Sequence, residues 1–332
     1  MTATAEGLPR ARSARAEVDA RAVSLLDAAV AGDRGALARL LSMVERGGAD
    51  ARAAARAAAG RDGVGYTVGI TGAPGAGKST LVGALVAVVR RHVDRVGVLA
   101  VDPSSPFTGG AILGDRVRMS DHVLDDGVYI RSMATRGHLG GLGVATPGAV
   151  RVLHATGCPW VLIETVGVGQ VEVEVAGAAD TTVVVVNPGW GDAVQANKAG
   201  LMEIADVFVI NKSDRSGAES TRHDLESMLD LAEGRGWRPP VVATIATEGH
   251  GADDLWDAIG AHRAHVESTG ELAVRRADRA RDELGRVVVE RLRLQADALR
   301  SGDRFVTIED DVVAGRVDPW TAADRLLSGE EP

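Results

Sequence analysis

The stretch Gly72-Ala73-Pro74-Gly75-Ala76-Gly77-Lys78-Ser79 decides the fold, because it satisfies G-x-x-x-x-G-K-[ST] in full. A short β-branched run (67–71) precedes it and a helical run (80–90) follows it. In that context the glycines let backbone N–H groups turn inward around phosphate oxygens. Lys78 is placed to reach β- and γ-phosphates, and the Ser79 hydroxyl to ligate Mg²⁺. The helix that opens beside Thr80 adds favourable partial positive charge at the same spot.

Outward from this loop, apolar runs recur at 66–71, 96–101, 128–132, 160–164, 181–186, 207–210 and 241–245. Most are separated by stretches long enough for a helix. Continuous apolar strands alternating with helices predict an α/β fold: a doubly wound, mostly parallel sheet covered on both faces. Before the sheet, Leu25, Leu26, Ala29, Leu37, Leu40, Leu41 and Val44 recur at helical spacing. After about 262 the strand pattern stops, and 271–300 reads as a long charged helix. Its stripe of Leu284, Val288, Leu292 and Leu299 suits packing on its own domain or on a second copy equally well. A last short helix starts at Pro319. The expected division is 1–60, a helical segment; 61–265, a P-loop nucleotide domain; and 266–332, a helical C-terminal segment.

A second motif reads the base. The strand at 207–210 runs into Asn211-Lys212-Ser213-Asp214, the N-K-x-D pattern of GTP-binding proteins. The Asp214 carboxylate is suited to accept from guanine N1–H and the exocyclic N2–H₂. Adenine offers no such donor pair, so a pocket built for those donors rejects it. The Lys212 stem is expected over the ring. Ala246-Thr247, near the next strand end, is a weaker candidate for contact with guanine O6.

Acidic residues complete the candidate centre. Asp102 ends the strand at 96–101, Glu164 ends that at 160–164, and Asp115 follows a Gly-rich loop. Strand C-termini of a doubly wound sheet face the ligand crevice. Glu164-Thr165-Val166-Gly167 stands where many GTPases carry Asp-x-x-Gly, which makes Glu164 a candidate to hold the attacking water and Gly167 a γ-phosphate donor.

Composition narrows the classes. The 332 residues carry 37 basic and 46 acidic side chains, a net charge of −9 that disfavours a general nucleic-acid binder. One cysteine, Cys158, excludes an internal disulfide and a multi-cysteine zinc site. No apolar run reaches the ~18 residues a membrane span needs. No secretory signal is read at the N-terminus, and the cytoplasm is the expected compartment.

Together the motifs resemble the MeaB/ArgK family of P-loop GTPases, also called methylmalonyl-CoA mutase-associated GTPases, of the SIMIBI class. The likeness rests on residues 72–80, "VDPSSPFTGGAILGDRVRM" (101–119), "RSMATRGHLGGL" (131–142), "ETVGVGQ" (164–170), "NKSD" (211–214) and the N-terminal "AGDRGALARLLSMVE" (31–45). It implies a GTP-hydrolysing chaperone that gates cofactor loading and protects or reactivates an adenosylcobalamin-dependent acyl-CoA mutase. It implies a homodimer in which 266–332 is the dimerisation arm; charge and the lack of an apolar span are what lead to the expectation of no nucleic-acid and no membrane partner. It also implies Mg²⁺ near Ser79, Asp102 and Asp115, with Glu164 close by, and a catalytic contribution from Lys198 when the partner docks. The match departs from the common pattern at Trp190 and Ala196-Asn197, which bears on the partner more than on catalysis.

The expected reaction is phosphoryl transfer from GTP to water, in which positioning and charge stabilisation dominate. Arg116, Arg118, Arg131 and Arg136 read as solvated loop charges, so no arginine finger is assigned. Two other readings are a nickel-delivery GTPase and a kinase of a transport-system binding protein. The first wants a histidine cluster, and His250, His262 and His265 are the nearest approach to one. The helix that carries the last two is expected to show them at its surface.

Overall fold

The computed structural model describes residues 7–61, 65–102, 122, 124–134, 145–165, 177–189, 200, 202–231 and 236–328. Seven strands form one parallel sheet: β1 (Tyr66–Gly72), β2 (Val96–Asp102), β3 (Val128–Ala134), β4 (Trp160–Thr165), β5 (Thr181–Val186), β6 (Val207–Asn211) and β7 (Val241–Thr244). Their order is β3-β2-β4-β1-β5-β6-β7. The expected runs are all strands, with several ends shifted by a residue or two.

The side-chain period of two sorts these strands between two cores. Val183, Val185, Val207 and Val209 face α4 (Lys78–Val89) and α7 (Ala252–Ser268), against Leu81, Leu85, Leu255 and Ile259. Val184, Val186, Phe208 and Ile210 pack on Leu225 and Leu229 of α6 (Ala218–Leu231). On β2 and β4, Leu99, Val101, Val161 and Ile163 join Val152 and Leu153 of α5 (Ala145–Ala155) and the N-terminal helices. Every residue of β1, β4, β5 and β6 is buried, which is why their sequences are continuous apolar runs rather than alternating ones.

The N-terminal segment is a three-helix unit: α1 (Gly7–Val30), α2 (Arg34–Arg46) and α3 (Gly48–Ala58). Ala22, Leu26 and Ala29 of α1 meet Leu37, Leu40, Leu41 and Val44 of α2 and the alanines of α3. Asp33 starts α2 by accepting from Ala36 N–H at 3.0 Å. Cys158 is buried before β4, where burial pushes its thiol up to about 11.

Two compact units divide the chain, 1–279 and 280–332. The boundary falls inside α8 (Glu271–Arg300), none of whose residues is buried. The second unit holds the rest of α8 with α9 (Asp303–Val313) and α10 (Pro319–Ser328). No described helix is long and apolar enough to cross a membrane.

Candidate active site

All seven strands run the same way, so Gly72, Asp102, Thr165, Asn211 and Thr244 end on one edge of the sheet. The phosphate loop leaves β1 there. Gly72 has φ +134, and a Cβ on it would stand 2.0 Å from the Val185 carbonyl oxygen. Gly77, the left-handed residue before α4, has φ +88, and a Cβ there would meet Asn211 Nδ2 at 2.4 Å. Both positions thus exclude side chains for steric as well as conformational reasons.

Lys78 is buried, and its Nζ donates to the carbonyls of Gly72 (2.7 Å) and Ala73 (3.1 Å). The ammonium is held inside the curve of its own loop. Ser79 Oγ donates to Glu164 Oε1 at 2.5 Å, and Glu164 is only 1% exposed. This contact joins the first turn of α4 to the end of β4. One residue on, Thr165 Oγ1 donates to Thr71 Oγ1 at 3.2 Å on the opposite face.

Asn211 ties the base motif to the phosphate loop. Its Nδ2 donates to Ala76 O at 2.8 Å, while Oδ1 accepts from Thr244 Oγ1 and Ala246 N–H, both at 3.1 Å. Lys212 is the one described non-glycine residue with positive φ (59°), and its Nζ donates to Gly75 O at 2.8 Å. Its stem therefore crosses from the end of β6 to the phosphate loop. Ser213 N–H donates to Thr244 O at 3.1 Å, and Asp214 stands exposed beyond it. The Ala246 N–H holds Asn211, and Thr247 is exposed.

The structure thus gathers Gly72, Ala73, Pro74, Gly75, Ala76, Gly77, Lys78, Ser79, Thr80, Glu164, Asn211, Lys212, Asp214, Ala246 and Thr247 along one edge. Asp102 closes β2, paired in register next to the end of β4. Asp115, Gly167, Lys198, Trp190, Ala196-Asn197, Arg116, Arg118 and Arg136 lie outside the described residues. Arg131 departs from its expected place in solvent. It sits on β3, half-buried, donates to Ser42 Oγ at 3.0 Å and pairs with Glu45.

At the opposite edge, sequence reasoning missed two buried carboxylates. Asp180 precedes β5 and accepts from Thr67 N–H at 3.0 Å, from Arg276 at 2.7 Å and from Arg279. Asp206 precedes β6 and accepts from Thr182 N–H at 2.8 Å and from Arg275 at 3.1 Å. Burial pushes both carboxyls up, but Arg276 and Arg279 around Asp180, and His262 and Arg275 around Asp206, leave each below its ordinary value. The available signal was an aspartate directly before each of two valine-rich strands. His262 is a further correction: it is fully buried, with Nε2 3.2 Å from Asp206 and Nδ1 2.8 Å from Thr181 Oγ1. Thr181 Oγ1 in turn meets the Tyr66 hydroxyl at 2.7 Å, and burial pushes that phenol up to about 12.

Comparison with known proteins agrees with this architecture. Residues 37–300 match the family described as methylmalonyl Co-A mutase-associated GTPase MeaB. A protein of Pyrococcus abyssi named as a GTPase is 50% identical over 300 residues, covering 89% of this chain and 93% of that one. The mouse methylmalonic aciduria type A homolog, a mitochondrial protein, is 36% identical over 268 residues, covering 79% and 65%. A crystal structure of a LAO/AO transport system kinase superposes with a TM-score of 0.67 at 26% identity, covering 93% and 97%. The nucleotide loop, the base motif bound to it and the match across most of the chain lead to one assignment: the chain belongs to the MeaB family of methylmalonyl-CoA mutase-associated GTPases, and it is a GTPase.

Proposed function

We propose that the chain uses GTP binding and hydrolysis to gate cofactor loading into an adenosylcobalamin-dependent acyl-CoA mutase, and to protect or reactivate that enzyme. The observation that carries the nucleotide half is the Asn211 bridge, which welds the base motif to the phosphate loop. The family match over 37–300 supports the mutase as client.

In this reading the backbone of residues 72–77 and Thr80 cradles the phosphates, and Lys78 leaves its loop carbonyls for the β- and γ-oxygens. Asp214 reads guanine, Lys212 covers the ring, and Ala246-Thr247 lie beside O6. Glu164 orients the attacking water, and Gly167 donates to the γ-phosphate. Ser79 Oγ and the buried Glu164 carboxylate, 2.5 Å apart, form the hard oxygen pair that suits Mg²⁺. Ser79, Asp102 and Asp115 would hold the ion, which when bound would supply neutralisation of phosphate charge.

Lys198 is proposed to complete catalysis on docking. The chain has only three lysines among 37 basic residues, at 78, 198 and 212, and the other two stand in the nucleotide motifs. A compact ammonium on a flexible stem differs from a guanidinium fork, and the arginine-rich chain uses it only there and at 198. Residues 266–332 are proposed as a dimerisation arm, since Leu284, Val288, Val289 and Leu292 are exposed on α8.

Two outcomes are expected. Asp214→Ala should weaken GTP binding by on the order of 100-fold and leave little preference over ATP, because two charge-assisted hydrogen bonds are lost. Competition binding with both nucleotides checks this; an unchanged GTP preference overturns the base-reading role. Purified acyl-CoA mutase should bind in a nucleotide-dependent way and raise the GTPase rate. Equal turnover with and without the mutase, and equal binding with GDP and a non-hydrolysable GTP analogue, would reject the client.

A further inference from the structure

A cleft outside the nucleotide site collects positive charge on the N-terminal helices. Ala38, Arg39, Ser42 and Arg46 fall on one stripe of α2, at spacings of three and four, and Arg21 of α1 completes the lining. The cleft is shallow and open to solvent, with about 250 Å³ of accessible space. The buried residues of α2 are Ala36, Leu37, Leu40, Leu41, Met43 and Val44, whereas Arg39 and Arg46 of the stripe are exposed.

The donors in this cleft exceed the acceptors. Arg21 makes no hydrogen bond or ion pair with any described residue. Among the described residues Arg39 reaches only Asp33, at 3.6 Å, and Asp33 is already capping α2. Arg46 gives its Nε to Asp50 at 2.6 Å, while its two terminal nitrogens donate to no described residue. Ser42 Oγ donates to Ala38 O at 2.9 Å and accepts from Arg131 at 3.0 Å. The charge is local to this region. Residues 7–61 hold ten arginines and six carboxylates, on a chain whose total is −9. Guanidinium forks match phosphate oxygens in pairs, and several such groups around one concavity form a phosphate-recognition arrangement.

We propose that the Arg21, Arg39 and Arg46 cleft binds a phosphate-bearing small molecule at a site separate from that of GTP. The cleft admits a phosphoryl group with a small attached body. Ser42, in its lining, also accepts from Arg131 of β3.

The test uses the full chain saturated with GDP, titrated calorimetrically with inorganic phosphate and, separately, with adenosine 3′,5′-bisphosphate. A further binding event is expected that weakens at least about tenfold in Arg39→Ala/Arg46→Ala and falls with added salt. Affinity for GDP should stay unchanged, which also reports that the variant is folded. Arg21→Ala, a single exposed change on another helix, should weaken the same event. Equal binding of both probes assigns the site to the phosphoryl group alone; binding of the bisphosphate only assigns it to a nucleotide-like ligand. Absence of binding at millimolar probe, or binding indifferent to all three arginines, overturns the proposal. Capture of an acidic peptide but neither phosphate overturns it too.

Discussion

Lys78→Ala is expected to lower kcat for GTP hydrolysis by roughly 10²–10³, the size seen when one preorganised donor to transition-state charge is removed. The reason lies in where the ammonium is held. Its Nζ sits 2.7 Å from Gly72 O and 3.1 Å from Ala73 O, inside the loop whose backbone N–H groups are to face the phosphates. In the proposed reading this charge leaves the two carbonyls for the γ-phosphoryl oxygens. Lys78→Arg should recover little, because the fork is wider than the point charge the loop encloses. Phosphate-release assays at saturating GTP give kcat, and a fluorescent GDP analogue gives binding. A loss in binding alone, with kcat intact, would assign Lys78 to uniform binding of ground and transition state.

Asp180→Ala is expected to destabilise the first unit by roughly 3–5 kcal/mol, as removal of one partner from a buried ion pair does. Asp180 is 2% exposed and gathers Arg276, Arg279 and the Thr67 N–H. Its removal leaves Arg276 and Arg279, among the described residues, with only the carbonyls of Gly65 and Ala179, and takes the acceptor from the Thr67 N–H near the start of the strand that carries the phosphate loop. The midpoint of thermal unfolding should fall by on the order of 10 °C. Arg276→Ala should cost less, because that side chain is 36% exposed and water replaces part of the contact.

A pH dependence follows from the same pair of carboxylates. Asp180 and Asp206 are both held below their ordinary values when folded. Their contribution is therefore fully present above the unfolded carboxyl value of about 3.9 and is lost as pH falls through the lower folded values. Wild-type stability should drop in that acid window. Asp180→Asn, which cannot titrate, should flatten the drop; an unchanged acid profile would show that Asp180 is not among the groups responsible.

The nucleotide edge was legible because its chemistry is local. A phosphate loop is eight consecutive residues between a strand and a helix, and N-K-x-D is four residues at the end of a strand. What the loop cannot carry is who holds it. Asn211 belongs to the base motif by sequence, yet its hydrogen bonds tie it to Ala76 of the phosphate loop and to Thr244 and Ala246 at the end of β7, two distant parts of the chain. The sequence suggests Lys212 as a cover for the ring; what the structure shows is its Nζ donating to Gly75 O.

The opposite edge was not legible, for a complementary reason. Asp180 and Asp206 look like ordinary strand-flanking acids, and Arg275, Arg276 and Arg279 like ordinary charges on a charged helix. Their partners lie 69 to 99 residues away in sequence. His262, on the apolar face of α7, became a buried partner of Asp206 and Thr181 only when that helix docked on the sheet. Arg131 likewise exchanged solvent for Glu45 when α2 packed beside β3.

From the sequence alone came the parallel α/β architecture, the helical additions at both ends, the phosphate loop and the base motif. These depend on hydrophobic period and on short motifs whose geometry is set by neighbouring residues. Tertiary structure decided which strand ends stand together, that Ser79 meets Glu164, and that the start of α8 is pinned by buried aspartates. Those pairings join residues far apart in the chain, and their energies arise only when folding removes both partners from water.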